Sequence, residues 1–148
     1  MTSPQARFEA STLPTPESIS DLTERVMGFL DAHGVEGRAT HHAALVLDEI
    51  LTNLATHGDC ANRPARISII VEPDKVVGAI VDAGTPFDPR LAPDPSLDLD
   101  ADDRAIGGLG LYLVRKLTCT LEYTRLDGEN RTTFAISRGK ASSEGESK

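Results

Sequence analysis

One stretch decides the fold, AALVLDEILTNLATHG at residues 43–58. Its apolar residues recur with the period of a helix: Ala43, Leu47, Ile50, Leu51 and Leu54. At 3.6 residues per turn, this spacing places them on one stripe. Thr40 as the N-cap and Gly58 as the residue after the C-terminus would bound the helix. We therefore predict a helix whose apolar stripe faces a core.

The same helix carries two polar side chains on another face. Glu49 falls nearly opposite the apolar stripe, and Asn53 lies beside it one turn later. Such a pair is usually an exposed surface feature unless other segments supply partners for it. Two segments are candidates: Asp82-Ala83-Gly84-Thr85-Pro86-Phe87 and Gly107-Gly108-Leu109-Gly110.

The composition bounds the function. The chain has 148 residues and a net charge of −8, from 23 acidic and 15 basic residues. This acidity argues against binding to a nucleic-acid backbone. No stretch approaches the roughly 20 apolar residues of a membrane span, and Cys60 and Cys119 lack the spacing of metal ligands. We expect one cytoplasmic domain without direct nucleic-acid or membrane contacts.

The rest of the chain predicts helices in one part and β-hairpins in another. Residues 7–13 alternate like an edge strand, and an amphipathic helix follows Pro16. Two hairpins are predicted, residues 66–72 with 75–82 and residues 120–125 with 132–137. This arrangement predicts an α+β fold, a two-layer sandwich. Residues 1–6 and 139–148 are expected to be flexible and disordered.

A long segment rich in proline and aspartate separates the hairpins. Residues 86–104 contain four prolines and six aspartates, a composition that fits no regular element. Loops of this length are usually functional lids or disordered inserts. The segment leads to Gly107, Gly108 and Gly110, after which Leu111 to Leu117 predict a short helix.

Glycines before a helix can hold an anion. They allow close backbone approach, and the free N–H groups of a helix start favour phosphate. The Walker pattern fails because no Lys-Ser or Lys-Thr follows, and the dinucleotide pattern fails because Leu113 takes the last glycine position. A plain hinge is the alternative for Gly108 and Gly110.

Asp82 ends an apolar strand and precedes Ala83-Gly84. A carboxylate in this position can accept a hydrogen bond from a flat heterocycle that lies against the backbone. The alternative is that Asp-Ala-Gly only starts a turn.

Together the three segments resemble the GHKL, or Bergerat-fold, ATPases, from residue 7 to residue 138. Glu49 and Asn53 match the E-x-x-x-N box, Asp82 and Gly84 match the D-x-G box, and Gly108 and Gly110 match the glycine box beyond a mobile ATP lid, here residues 88–106. The resemblance implies a mixed, mostly antiparallel sheet with helices on one face. The small size is similar to that of the anti-sigma-factor serine/threonine kinases.

The resemblance implies roles for the phosphate-side residues. Asn53 would give a side-chain oxygen to Mg²⁺, and Glu49 would accept the proton of an attacking hydroxyl or orient a water. Gly108 and Gly110 would hold phosphate oxygens through their N–H groups. Separately from the resemblance, Arg104 would offset the repulsion of the six lid aspartates by reaching the γ-phosphate, with a solvated surface arginine as the alternative.

It also implies an adenine site. Asp82 would bind the adenine amino group, and Gly84 would leave room for the ring. Thr132 has the strand parity of Phe134 and so should face the pocket, where the family often has a threonine. Arg131 stands where the family commonly has glycine.

The resemblance implies a protein kinase that binds ATP and Mg²⁺ and phosphorylates a small anti-anti-sigma antagonist of the STAS type. It would otherwise sequester a sigma factor, as a homodimer. One alternative is an ATP-binding switch without phosphotransfer. Another, the catalytic domain of a sensor histidine kinase, is disfavoured because we see no helical hairpin bearing a phosphoacceptor histidine.

Overall fold

The computed structural model describes residues 5–59, 62–91 and 108–139. Within these ranges the helices are α1 (Pro16–Ala32), α2 (Gly37–His57) and α3 (Gly108–Leu117). The strands are β1 (Ala6–Thr12), β2 (Ala65–Val71), β3 (Lys75–Asp82), β4 (Thr120–Leu126) and β5 (Glu129–Ser137). A 3₁₀ turn, Pro89–Leu91, follows β3. The predicted α+β fold is confirmed.

The five strands form one sheet in the order β1-β2-β3-β5-β4. Every pairing between the described strands is antiparallel, which confirms the mostly antiparallel sheet. The parallel pairing that a mixed sheet requires does not occur among these strands. Strand β4 runs in the same direction as β3, but β5 lies between them, and no parallel pair forms. Both predicted hairpins and the edge strand β1 are confirmed.

Helices α1 and α2 cover one face of the sheet and supply much of the core. The apolar stripe predicted for α2 is buried, and α1 adds four buried side chains: Ile19, Leu22, Val26 and Leu30. Fully burying one such side chain stabilises the fold by about 1.5–3 kcal/mol. With its apolar stripe held in the core, α2 presents its other faces at fixed positions.

Helix α2 begins earlier than predicted and ends where it was predicted to end. It begins at Gly37, because buried Ala39 and Ala43 extend the apolar stripe one turn earlier, and Thr40 lies inside the helix. The Thr40 hydroxyl donates to the Val35 carbonyl at 3.4 Å and caps nothing. Gly58 directly follows His57, the last residue of the helix, as predicted, with a right-handed φ of −82°.

The register between β3 and β5 places two polar residues opposite each other. Asp82 pairs with Asn130, and Ile80 pairs with Thr132. Because side chains alternate along a strand, all four point toward the helical layer.

No helix in the described ranges is long and apolar enough to cross a membrane.

Candidate functional site

A cleft lies between the C-terminal half of α2, the turn after β3, and α3. It holds about 510 Å³, counting its open mouth. Asn53, Asp82 and Thr132 line it, as does Leu111 of α3. The structure therefore brings three of the predicted site residues, from three separate elements, to one cavity.

Glu49 stands one turn before Asn53 on α2. Its side chain is half-buried, and burial raises the pKa of its carboxyl group, with the negative charge of Asp48 adding to the effect. A carboxylate with a raised pKa is better suited to accept a proton near neutral pH. This environment suits a proton acceptor, and the role of Glu49 as the general base stays a prediction.

The start of α3 packs directly against Glu49. A Cβ added to Gly110 would overlap Glu49 Oε1 and would lie 2.8 Å from Glu49 Cδ. Only a residue without a side chain fits between this helix and the carboxylate. Because α3 begins at Gly108, its first-turn N–H groups, which have no intrahelical partners, lie in the same region. The predicted glycine turn and predicted base are thus adjacent.

Asp82 is buried at the end of β3, with 9% of its surface exposed. Its Oδ1 accepts hydrogen bonds from the Gly84 N–H and from Asn130 Nδ2, each at 2.9 Å. Among the described residues no hydrogen bond reaches Oδ2. One oxygen of this cleft-lining carboxylate is therefore held in place, while the other can accept a bond from a ligand.

Gly84 is required for close packing of the turn that follows Asp82. A Cβ there would lie 2.9 Å from both the Gly58 carbonyl oxygen and Leu54 Cδ1, and 3.0 Å from Asp82 Oδ1. The turn therefore packs against the end of α2 only if residue 84 is glycine. Its predicted role of leaving room for a ring stays a prediction.

Thr132 is 4% exposed and faces the cleft, as its strand parity predicted. Asn130 lies two residues earlier on β5 and was not among the site residues predicted from the sequence. The residue is 4% exposed, and its side-chain amide donates hydrogen bonds to Asp82 and to the turn that follows β3. The signal was present, because Asn130 shares the parity of Thr132 and is a polar residue on the helix-facing side.

Several predicted features lie outside the described residues. These are Arg104, most of the lid predicted at 88–106, the first four residues and the tail from residue 140. Gly108 is described as the first residue of α3.

The donor set was tested for its fit to Mg²⁺. Asn53 lines the cleft, and its amide oxygen has no hydrogen-bond partner among the described residues. In those ranges no group of three His, Cys, Asp or Glu side chains could hold a metal alone. Mg²⁺ commonly takes one or two protein ligands and fills its shell with phosphate oxygens and water. The residues fit an ion that enters with a polyphosphate.

The fold and cleft define an α+β ligand-binding domain with a half-buried acid beside a helix start. The model of the histidine kinase-like ATPase domain family matches residues 12–136. The chain therefore belongs to that family, within the GHKL superfamily.

The chain is also similar to two known proteins. The chain is 36% identical over 92 residues to the serine/threonine-protein kinase BtrW of Bordetella bronchiseptica, an alignment covering 61% of this chain and 65% of BtrW. The crystal structure of the RsbU and RsbW domains of Rv1364c from Mycobacterium tuberculosis is similar, with a TM-score of 0.65 and 13% identity. It covers 92% of this chain and 34% of that one, and at this identity it shows the fold alone.

Proposed function

We propose that this protein is an ATP-dependent serine/threonine protein kinase of the anti-sigma-factor type. The observation that carries the proposal is the contact of the Glu49 carboxylate with Gly110 at the start of α3, beside a cleft lined by Asn53 and Asp82. It is supported by membership of an ATPase-domain family and by similarity to a relative named a serine/threonine-protein kinase. The kinase domain spans residues 7–138, with residues 88–106 as the ATP lid.

ATP binds with its adenine in the cleft. Asp82 accepts a hydrogen bond from the adenine amino group, and buried Thr132 lines the same pocket. Gly84 lets the turn approach closely enough to form one wall. A mostly apolar cavity with a few fixed polar groups is the usual form of such a site.

The triphosphate extends toward the start of α3. The N–H groups of Gly108 and Gly110 bind phosphate oxygens, and Arg104 is a candidate γ-phosphate ligand. The Asn53 side-chain oxygen is the protein ligand for Mg²⁺, which when bound neutralises phosphate charge. This neutralisation matters because the chain carries a net charge of −8.

Glu49 acts as the general base. It accepts the proton of a serine or threonine hydroxyl as that oxygen attacks the γ-phosphorus. The bond from the γ-phosphorus to the β,γ-bridging oxygen breaks, and ADP leaves with the electron pair. The raised pKa of Glu49, caused first by burial and then by Asp48, strengthens the carboxylate as a base.

The substrate is a small anti-anti-sigma protein of the STAS type, and the second partner is a sigma factor. The protein acts as a homodimer in the cytoplasm, without direct nucleic-acid or membrane contacts. Phosphorylation of the antagonist frees the kinase to sequester the sigma factor.

A transfer assay tests the proposal. The full chain is mixed with γ-labelled ATP, Mg²⁺ and a candidate STAS-type antagonist, and we expect label on a serine or threonine of the antagonist. Glu49→Gln should bind ATP but transfer label about 100-fold more slowly, or worse. ATP binding without transfer by wild type would favour the switch module, whereas absence of ATP binding would overturn both functions.

A further inference from the structure

A buried polar network lies behind Asp82 and joins β5 to the turn after β3. Asn130 Nδ2 donates to Asp82 Oδ1 and to the Thr85 carbonyl, both at 2.9 Å, and to the Gly84 carbonyl at 3.3 Å. Asn130 as a whole residue is 4% exposed. Its bonds are therefore protected from exchange with water, and losing one leaves a buried group unsatisfied.

Two donors fix which way the Asn130 amide points. Arg125 donates to Asn130 Oδ1 at 2.9 Å, and the Tyr123 hydroxyl donates to the same oxygen. Arginine has no acceptor, so the atom facing Arg125 must be the amide oxygen. The amide nitrogen is then directed at Asp82, and a flipped amide would place two acceptors against each other.

The orientation of Asn130 in turn decides how Asp82 is used. Oδ1 accepts from both Asn130 and the Gly84 N–H, and among the described residues Oδ2 accepts from nothing. A ligand that bonds to Asp82 therefore meets a pure acceptor held in one rotamer. A purine with an amino group at position 6 supplies the matching donor, whereas a 6-oxo purine presents a second acceptor.

We propose that Asn130 is a positioning residue that holds Asp82 as a fixed acceptor and so makes the cleft select 6-amino over 6-oxo purine nucleotides. This inference rests on the proposed function, because it assumes that the nucleotide base occupies the cleft. Asn130 does not itself touch the base. Its effect is transmitted through the carboxylate of Asp82.

A merely structural role for Asn130 predicts a different outcome. The network also ties the β4–β5 hairpin to the turn, since Arg125 donates to the Gly84 carbonyl at 2.9 Å. If that were its whole role, a variant would weaken all nucleotides equally. The ratio of ATP to ITP affinity separates the two cases, because ITP differs from ATP in carrying an oxo group at position 6.

The test measures dissociation constants of ATP and ITP, with Mg²⁺, for wild type and Asn130→Asp. This change keeps the oxygen that Tyr123 and Arg125 contact and replaces the Nδ2 group, which donates to Asp82 and to the Gly84 and Thr85 carbonyls. The matched control is Asn62→Asp, which adds the same charge at an exposed loop position. Asn130→Asp should weaken ATP binding about 10-fold or more and change the ITP affinity by no more than about twofold. Asn62→Asp should keep the wild-type ratio of ATP to ITP affinity.

Tyr123→Phe provides a second variant if Asn130→Asp fails to fold. It removes one of the two donors to Asn130 Oδ1 and should lower the ratio of ATP to ITP affinity in the same direction, by about threefold. Equal weakening of both nucleotides by the variants would overturn the inference. A wild type that binds ATP and ITP equally would also overturn it and leave the proposed kinase standing. A wild type that binds neither would overturn both.

Discussion

The Glu49 carboxylate touches the backbone of Gly110, although the two residues belong to helices far apart in the chain. The contact places the carboxylate that we propose as the general base beside the helix start that we propose for phosphate binding. A change at either residue should therefore affect the chemistry more than the fold.

Gly110→Ala should slow phosphotransfer by roughly 100-fold or more. A Cβ would overlap Glu49 Oε1, so either the carboxylate or the start of α3 must move. Displacements of about 1 Å at reacting groups can cost roughly 100-fold in rate. Transfer rates checked under saturating ATP would show the loss.

Gly28→Ala is the matched control, because Gly28 also lies in a helix but has no atom within 4 Å of the added Cβ. It should raise stability by up to about 1 kcal/mol and keep full activity. Equal activity in the two variants would contradict the assigned contact.

Glu49→Gln should bind ATP with nearly wild-type affinity but transfer phosphate about 100-fold more slowly, or worse. The amide keeps the shape of the side chain and removes the group that accepts the proton. Single-turnover transfer and calorimetric titration with ATP separate the two quantities. Undiminished transfer would rule out Glu49 as the base.

The same substitution should stabilise the fold in a pH-dependent way. Burial, with Asp48 adding, raises the pKa of Glu49 in the folded protein above its unfolded value. The stability that Glu49 contributes to the fold is therefore fully present below its unfolded-state pKa, and it is lost as the pH rises through its folded-state pKa. Near pH 7 the Glu49→Gln variant should have a higher melting temperature than wild type. The difference in melting temperature should narrow toward about pH 4 to 5.

Thermal melts over that pH range check this prediction. Glu24→Gln, at an exposed position on α1, serves as the control and should show no comparable pH-dependent gap. A difference in melting temperature between Glu49→Gln and wild type that widened as the pH fell would contradict the predicted direction of the effect.

Gly84→Ala should destabilise the protein by about 1–3 kcal/mol and weaken ATP binding. The added Cβ would lie 2.9 Å from the Gly58 carbonyl oxygen, so the turn after β3 must shift and take Asp82 with it. Urea denaturation and ATP titration measure the two effects. Gly37→Ala, where nothing lies within 4 Å, should cause neither.

The core and much of the site could be predicted from local patterns. The apolar stripe of α2 fixes its orientation, so the relative positions of Glu49 and Asn53 follow from helix geometry. The parity of β5 likewise predicted that Thr132 faces the cleft.

The features that could not be predicted from the sequence depend on pairing between distant segments. The role of Asn130 arises because β5 pairs with β3 in the register that sets it opposite Asp82. The packing need for glycine at Gly84 comes from a carbonyl at the end of α2. The mixed sheet was implied by the family resemblance, whereas the insertion of β5 between β3 and β4, which neither hairpin encodes, leaves every described pairing antiparallel.

The central claim is that one cleft between α2, the end of β3 and α3 binds ATP with Mg²⁺. It is tested most directly by titrating ¹⁵N-labelled protein with ATP and Mg²⁺ and mapping the amide chemical-shift changes. We predict saturable changes centred on Asn53, Asp82, Gly110 and Thr132. Changes confined to the helix-free face of the sheet, or none at saturating ATP, would contradict the claim.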